Sequence, residues 1–174
     1  MTDTPLWQHA ASLAARVHRH QVRKDKLKTP YFSHPARVAM IVAVRFGCGD
    51  ETALAAAFLH DVIEDTTTDY DDLLEHFGRA VADVVACLSK DPRVVESRRE
   101  QLYDEQLAVG PWQARLVKLA DVYDNLADAP DDETRRRMLE RLDRATEVAG
   151  VGPHIADAIT VVRQFADTVR AKVR

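Results

Sequence analysis

The sequence predicts an all-α fold, a compact and irregular helical bundle forming one domain over residues 1–174. Three observations predict it. Apolar residues recur at three- and four-residue steps, period-two alternation is missing, and glycine-, proline- or aspartate-containing breaks separate the periodic stretches. The stripes are short and interrupted, which separates this chain from a coiled coil. At 174 residues the chain can bury a substantial single core, and 46% hydrophobic against 30% charged residues is ordinary for a globular protein.

Taken in order, Pro5 precedes a segment with Trp7, Ala10, Ala14 and Val17 on one face. His34-Pro35 opens the next helix, proline being favoured at the first helical position. That helix carries Val38, Ile41 and Val42 and ends near Gly47, with Gly49 beyond. Asp50 is the expected N-cap of a third helix running through His60-Asp61. Residues 70–77 form a short helix stopped by Gly78, and residues 81–88 form the next. A polar break follows at Lys90-Asp91-Pro92-Arg93, then a charged helix over 96–107 ended by Gly110-Pro111. Trp112, Leu116, Leu119, Ala120, Tyr123 and Leu126 make the apolar stripe of a further helix that stops before Pro130. The spacing predicts a very charged helix over 133–148, with Arg135, Arg136, Arg137 and Arg141 on a solvated surface. Gly150-Val151-Gly152-Pro153 breaks the chain before a last helix bearing Ile155, Ile159, Val162, Ala166 and Val169.

Bulk properties exclude several classes of function. With 24 basic and 28 acidic residues the net charge is −4, which gives no overall attraction to nucleic acid or anionic membrane. Cys48 and Cys87 lie far apart, in no metal-type spacing, and read as inert buried thiols of a reducing compartment. Met1-Thr2-Asp3-Thr4-Pro5 lacks the basic-then-apolar pattern of a signal peptide. No apolar run reaches the ~20 residues that span a bilayer, so a cytoplasmic location is expected. Oligomeric state is not legible.

The chemistry concentrates in Ala57-Phe58-Leu59-His60-Asp61-Val62-Ile63-Glu64-Asp65-Thr66, where four ionisable residues interrupt an apolar helical pattern. An unpaired carboxylate costs several kcal/mol to desolvate, so acids clustered there call for a cation. On a helix His60 and Glu64 share a face, as do Asp61 and Asp65. His34 stands at a helix entrance, and Asp121 is embedded in Leu116-Val117-Lys118-Leu119-Ala120-Asp121. Together His34, His60, Asp61 and Asp121 offer two imidazoles and two carboxylates, a set suited to Mn²⁺, Fe²⁺ or Zn²⁺ with positions left for water and a phosphate oxygen. Individually each has a plainer reading: His34 serves equally as a core or capping histidine, and Asp121 as the partner of Lys118.

Arg23-Lys24, Thr29-Pro30-Tyr31-Phe32-Ser33-His34-Pro35, His60-Asp61-Val62-Ile63-Glu64-Asp65-Thr66 and Lys118-Leu119-Ala120-Asp121 with Asn125 occur in that order. In these motifs the chain resembles the HD-domain phosphohydrolases. More narrowly, it resembles the hydrolase domain of the Rel/Spo alarmone enzymes and stand-alone small alarmone hydrolases of the metazoan SpoT-homologue type. The resemblance implies an HD-type helical fold and Mn²⁺-dependent (or other divalent-cation) hydrolysis of the 3′-pyrophosphate of guanosine 3′,5′-bis(diphosphate) or its pentaphosphate relative. It implies His34, His60, Asp61 and Asp121 as metal ligands and Glu64 and Asp65 as the groups that position or deprotonate water. Arg23 and Lys24 would then pack on the base, and Asn125 would contact ribose or base. A small-molecule nucleotide, rather than nucleic acid or membrane, is the partner so implied. Val122, Tyr123-Asp124 and Ala127-Asp128 depart from the family pattern, which points to a changed substrate shell, with Arg98 and Arg99 as candidate replacements for phosphate contacts. Two other functions follow from the same residues: an HD-type phosphohydrolase for a different base or fewer phosphates, and a non-catalytic alarmone-binding domain with a structural metal.

Overall fold

The computed structural model describes residues 4–173. Among these residues the regular structure is helical, apart from one isolated bridge between Val22 and Pro30. The elements are α1 (Leu6–Val17), α2 (Ser33–Met40), α3 (Glu51–Leu59), α4 (Val62–Asp65), α5 (Tyr70–Phe77), α6 (Arg79–Leu88), α7 (Glu96–Val109), α8 (Trp112–Ala127), α9 (Asp132–Val148) and α10 (Ile155–Arg170).

The punctuation marks act largely as expected. Asp50 caps α3 by accepting from the Ala53 N–H at 2.8 Å. Asp69 and Asp72 form a reciprocal capping box at the start of α5, and Gly78 ends that helix at φ 77°, a region only glycine enters without strain. Asp131 caps α9 through the Thr134 N–H at 2.7 Å.

Three expectations need correction. α2 opens at Ser33, so Pro35 is its third residue. Proline fits there because the first four N–H groups of a helix have no internal partner. α2 then widens into a π turn over Ile41–Arg45, closed by Phe46 N–H to Ile41 O at 3.0 Å, which the 3.6-residue pattern does not reveal. Finally, α3 does not run through His60-Asp61. It stops at Leu59 and resumes as the single turn α4. The His60 ring takes the Ala57 carbonyl through Nδ1 at 2.9 Å, the acceptor that the Asp61 N–H would use in an uninterrupted helix.

α8 is the central element, packing against α2, α3, α6, α9 and α10, with Leu116, Leu119, Ala120 and Leu126 buried. Helix α1 lies on α3, and Ala10, Ala14, Ala53, Ala56 and Ala57 are fully buried; small side chains let the helices approach closely. Cys48 and Cys87 are buried free thiols, as expected. No helix among the described residues is long and apolar enough to cross a membrane. Helices α2, α3 and α8 also pack on one another, which brings three distant parts of the sequence to one point.

Candidate metal centre

His34 comes from the first turn of α2, His60 and Asp61 from the break between α3 and α4, and Asp121 from mid-α8. Their donor atoms converge. His34 Nε2 and His60 Nε2 are 3.2 Å apart, and Asp121 Oδ1 lies 3.3 and 3.9 Å from them. Asp61 Oδ2 lies 3.1 Å from His60 Nε2 and 3.6 Å from His34 Nε2. His34, His60 and Asp121 form the set whose donor atoms all lie within 4.8 Å of one another, with Asp61 beside it. Ligands ~2.0–2.2 Å from a shared ion stand ~3–3.6 Å apart, which these separations match except for the wider 3.9 Å between Asp121 Oδ1 and His60 Nε2. Both imidazoles are prepared for such an ion. His34 Nδ1 is engaged by Asp124 Oδ2 at 2.7 Å and His60 Nδ1 by the Ala57 carbonyl, which leaves each Nε2 directed inward. Two Nε2 atoms 3.2 Å apart cannot both direct protons at each other, so either one shared proton or a bound cation satisfies the pair.

Electrostatics follow from this crowding. Burial alone would lower the pKa of His60, but the charge and hydrogen bond of Asp61, with Asp121 beyond, push it up to about 9. Burial resists ionisation of Asp61, yet the His60 charge and hydrogen bond hold it at about 2. Asp121 is likewise held far below the usual carboxylate range against burial, chiefly by Lys118. Lys118 Nζ sits 2.9 Å from Asp121 Oδ2, so the pairing read from sequence as the plain alternative is present. It occupies one oxygen and leaves Oδ1 toward the imidazoles.

The centre forms the floor of a cleft of about 170 Å³, walled by Arg23, Tyr31, Glu64, Lys90, Lys118, Asn125 and Arg141 among others. Glu64 accepts from the Lys90 N–H at 2.6 Å, and desolvation raises its pKa despite that bond. Asp65 does not line the cleft. Its carboxylate accepts from the Tyr31 hydroxyl at 3.1 Å, and the same hydroxyl lies 2.6 Å from Asp61 Oδ2. Arg23 lines the cleft, its guanidinium held by Asp128 and by Asn125 Oδ1 at 3.2 Å and lying 5.8 Å from the Tyr31 ring centre. Asn125 spends its amide N–H on Asp121 Oδ1 at 2.6 Å. Lys24 is exposed and outside the cleft. Arg98 and Arg99 are not cleft residues either; Arg99 bonds the Val94 carbonyl. Arg141, assigned from sequence to a solvated surface, is exposed but stands at the cleft.

Sequence reasoning missed several residues. Tyr31 lies within the motif over 29–35 but was given no role, and Lys90 and Arg141 carry no local signal, since position relative to the cleft is set by packing. Asp124, read as part of an altered substrate shell, instead buries its carboxylate between His34 and Arg37.

Comparison with known proteins agrees with this geometry. The family model described as HD domain matches residues 10–146. The chain is 38% identical over 151 residues to guanosine-3′,5′-bis(diphosphate) 3′-pyrophosphohydrolase MESH1 of Xenopus tropicalis, 84% of each chain. It is 40% identical over 143 residues to MESH1 of Homo sapiens, 80% of each. Among solved structures, a metazoan ortholog of SpoT that hydrolyzes ppGpp superposes with a TM-score of 0.79 at 29% identity, covering 94% of this chain and 97% of that one.

Proposed function

Because the chain belongs to the HD-domain family, we propose that it hydrolyses the 3′-pyrophosphate of guanosine 3′,5′-bis(diphosphate), or of a related alarmone, to a nucleoside 5′-diphosphate and pyrophosphate. The observation that carries the reading is the convergence of His34, His60 and Asp121 donors within 4.8 Å of one another at the base of a cleft with cationic walls. His34, His60, Asp61 and Asp121 would hold a divalent cation; the mixed nitrogen and oxygen set suits Mn²⁺, Fe²⁺ or Zn²⁺, and Mn²⁺ is the one the family resemblance implies. When bound, such a cation would polarise a phosphoryl oxygen and lower the pKa of a bound water.

The remaining steps belong to the chain. Glu64 is the acceptor for the proton that leaves the attacking water, its affinity for that proton increased by desolvation. Asp65 acts at one remove, aligning Tyr31 and through it Asp61. Arg23, its edge anchored by Asp128 and Asn125, presents its planar face to a base, while Arg141 supplies positive charge for phosphates. Beside it stand Lys90 and Lys118, whose ammonium groups are paired with Glu100 at 2.6 Å and Asp121 at 2.9 Å. The water oxygen bonds to phosphorus, the phosphorus–O3′ bond breaks, and O3′ leaves as a hydroxyl on taking up the proton that Glu64 accepted from the water.

One observation favours a second reading. The hydrogen-bonding edge of Arg23 and both ends of the Asn125 amide are already engaged, which leaves less capacity for reading a particular base or an extra phosphate. A nucleotide with another base or fewer phosphates fits that wall as well. Incubating pure protein and Mn²⁺ with 3′-pyrophosphorylated guanosine and adenosine nucleotides, and with 5′-phosphorylated ones, separates the readings by product identity. Pyrophosphate and GDP are expected from ppGpp; no pyrophosphate from ppGpp while other nucleotides are cleaved overturns the first reading.

A further inference from the structure

On the reading that this centre holds a divalent cation, we propose that Asp124, braced by Arg37, is a positioning residue of this chain. It fixes which nitrogen of His34 carries the ring proton and so keeps the other free to bind the cation.

The two residues arise from a matched spacing. Arg37 follows His34 by three positions on α2, and Asp124 follows Asp121 by three on α8. Residues three apart share a helix face, so the packing of α2 on α8 that brings His34 to Asp121 also brings Arg37 to Asp124, one turn along. Asp124 is buried, its side chain 4% exposed, and both oxygens of its carboxylate are engaged. Oδ2 faces His34 Nδ1 at 2.7 Å and Arg37 Nη2 at 3.0 Å, and Oδ1 accepts from Arg37 Nε at 2.7 Å. Arg37 is steadied in turn by Asp128 Oδ2 at 3.2 Å.

A neutral imidazole has one N–H to give, and His34 has three carboxylates competing for it. Asp121 and Asp61 stand 3.3 and 3.6 Å from Nε2, on the cation side, and Asp124 stands 2.7 Å from Nδ1, on the other. A proton on Nε2 would point into the space the cation needs. The shorter, better enclosed contact to Asp124 draws it away. His60 is supported differently, through the uncharged Ala57 carbonyl. A carboxylate behind a histidine ligand also makes that ligand more basic than a carbonyl does. Arg37 makes the arrangement tenable, since a carboxylate buried beside a histidine alone would lack a charge partner.

The test is Mn²⁺ affinity, measured by titration calorimetry on chelator-stripped protein, together with imidazole ¹⁵N shifts and melting temperatures. Asp124→Leu should weaken Mn²⁺ binding by about 10–100-fold and move the His34 proton from Nδ1 to Nε2. Asp124→Asn, nearly isosteric and still able to accept the N–H, should lie between Leu and wild type, with kcat recovering as Mn²⁺ is raised. Should the Leu variant fail to fold, Asn decides. Folded variants that bind Mn²⁺ as tightly as wild type with an unchanged tautomer would overturn the proposal. Wild-type protein that binds Mn²⁺ but leaves ppGpp intact would defeat the proposed function and not this assignment.

Discussion

Lys118 determines how Asp121 is used. By taking Oδ2 at 2.9 Å it leaves one oxygen for the imidazole side, so a pair that could be merely structural also aims a donor. Glu64 is the complementary case, an acid whose one bond, to the Lys90 N–H, is kept by glutamine. Glu64→Gln should therefore cut kcat by about 10²–10⁴-fold with little change in melting temperature, a split that steady-state kinetics and thermal unfolding read directly. The pH behaviour of chelator-stripped protein follows from His60 and Asp61. His60, raised from 6.5 to about 9, contributes stability present in full below 6.5 and lost as pH rises through 9. Asp61, lowered from 3.8 to about 2, contributes stability present above 3.8 and lost as pH falls through 2. Stripped protein should be most stable between these windows, from about pH 4 to 6.5. Because a cation must displace the His60 proton, Mn²⁺ affinity should climb about tenfold per pH unit up to roughly pH 9. A flat calorimetric profile across pH 6–8 would contradict this. The four candidate ligands were legible because histidine and aspartate are conspicuous in apolar helix. Asp124 was not, since nothing local distinguishes an acid that faces a histidine 90 positions away.

At the scale of elements, the boundaries written in short side chains were readable and those written in tertiary contacts were not. Asp50 announces itself, being a capping residue directly before an apolar run. Asp50→Ala should cost about 1 kcal/mol in urea unfolding through the lost Ala53 N–H bond. The π turn over Ile41–Arg45 has no comparable signal, because one inserted residue leaves the apolar pattern almost unchanged. The break at His60-Asp61 goes with the direction of an imidazole, which bonds the Ala57 carbonyl on one side and faces His34 of α2 on the other, a partner the local sequence does not reveal.

For the whole molecule, α8 organises both core and centre, so stability and chemistry share a helix. The apolar stripe of α8 made that centrality readable, whereas the junctions between helices were hidden. Gly110, read from sequence only as a stop signal, leaves no room for a side chain: a Cβ there would collide with Cys87 Sγ of α6 and press on the Gln106 carbonyl. Gly110→Ala should destabilise the fold by about 1–3 kcal/mol in urea unfolding. Adding Cys87→Ala should recover part of that loss, giving a non-zero coupling in a double-mutant cycle.

Neighbours along an unbroken α-helix point about 100° apart, which would send His60 and Asp61 toward different surroundings. The pause in the coil between α3 and α4 lets both reach one spot, and the turn that follows carries Glu64 to the same cleft. Two candidate ligands thus occupy one break of two residues, and straightening it into a continuous rod would part His60 from Asp61.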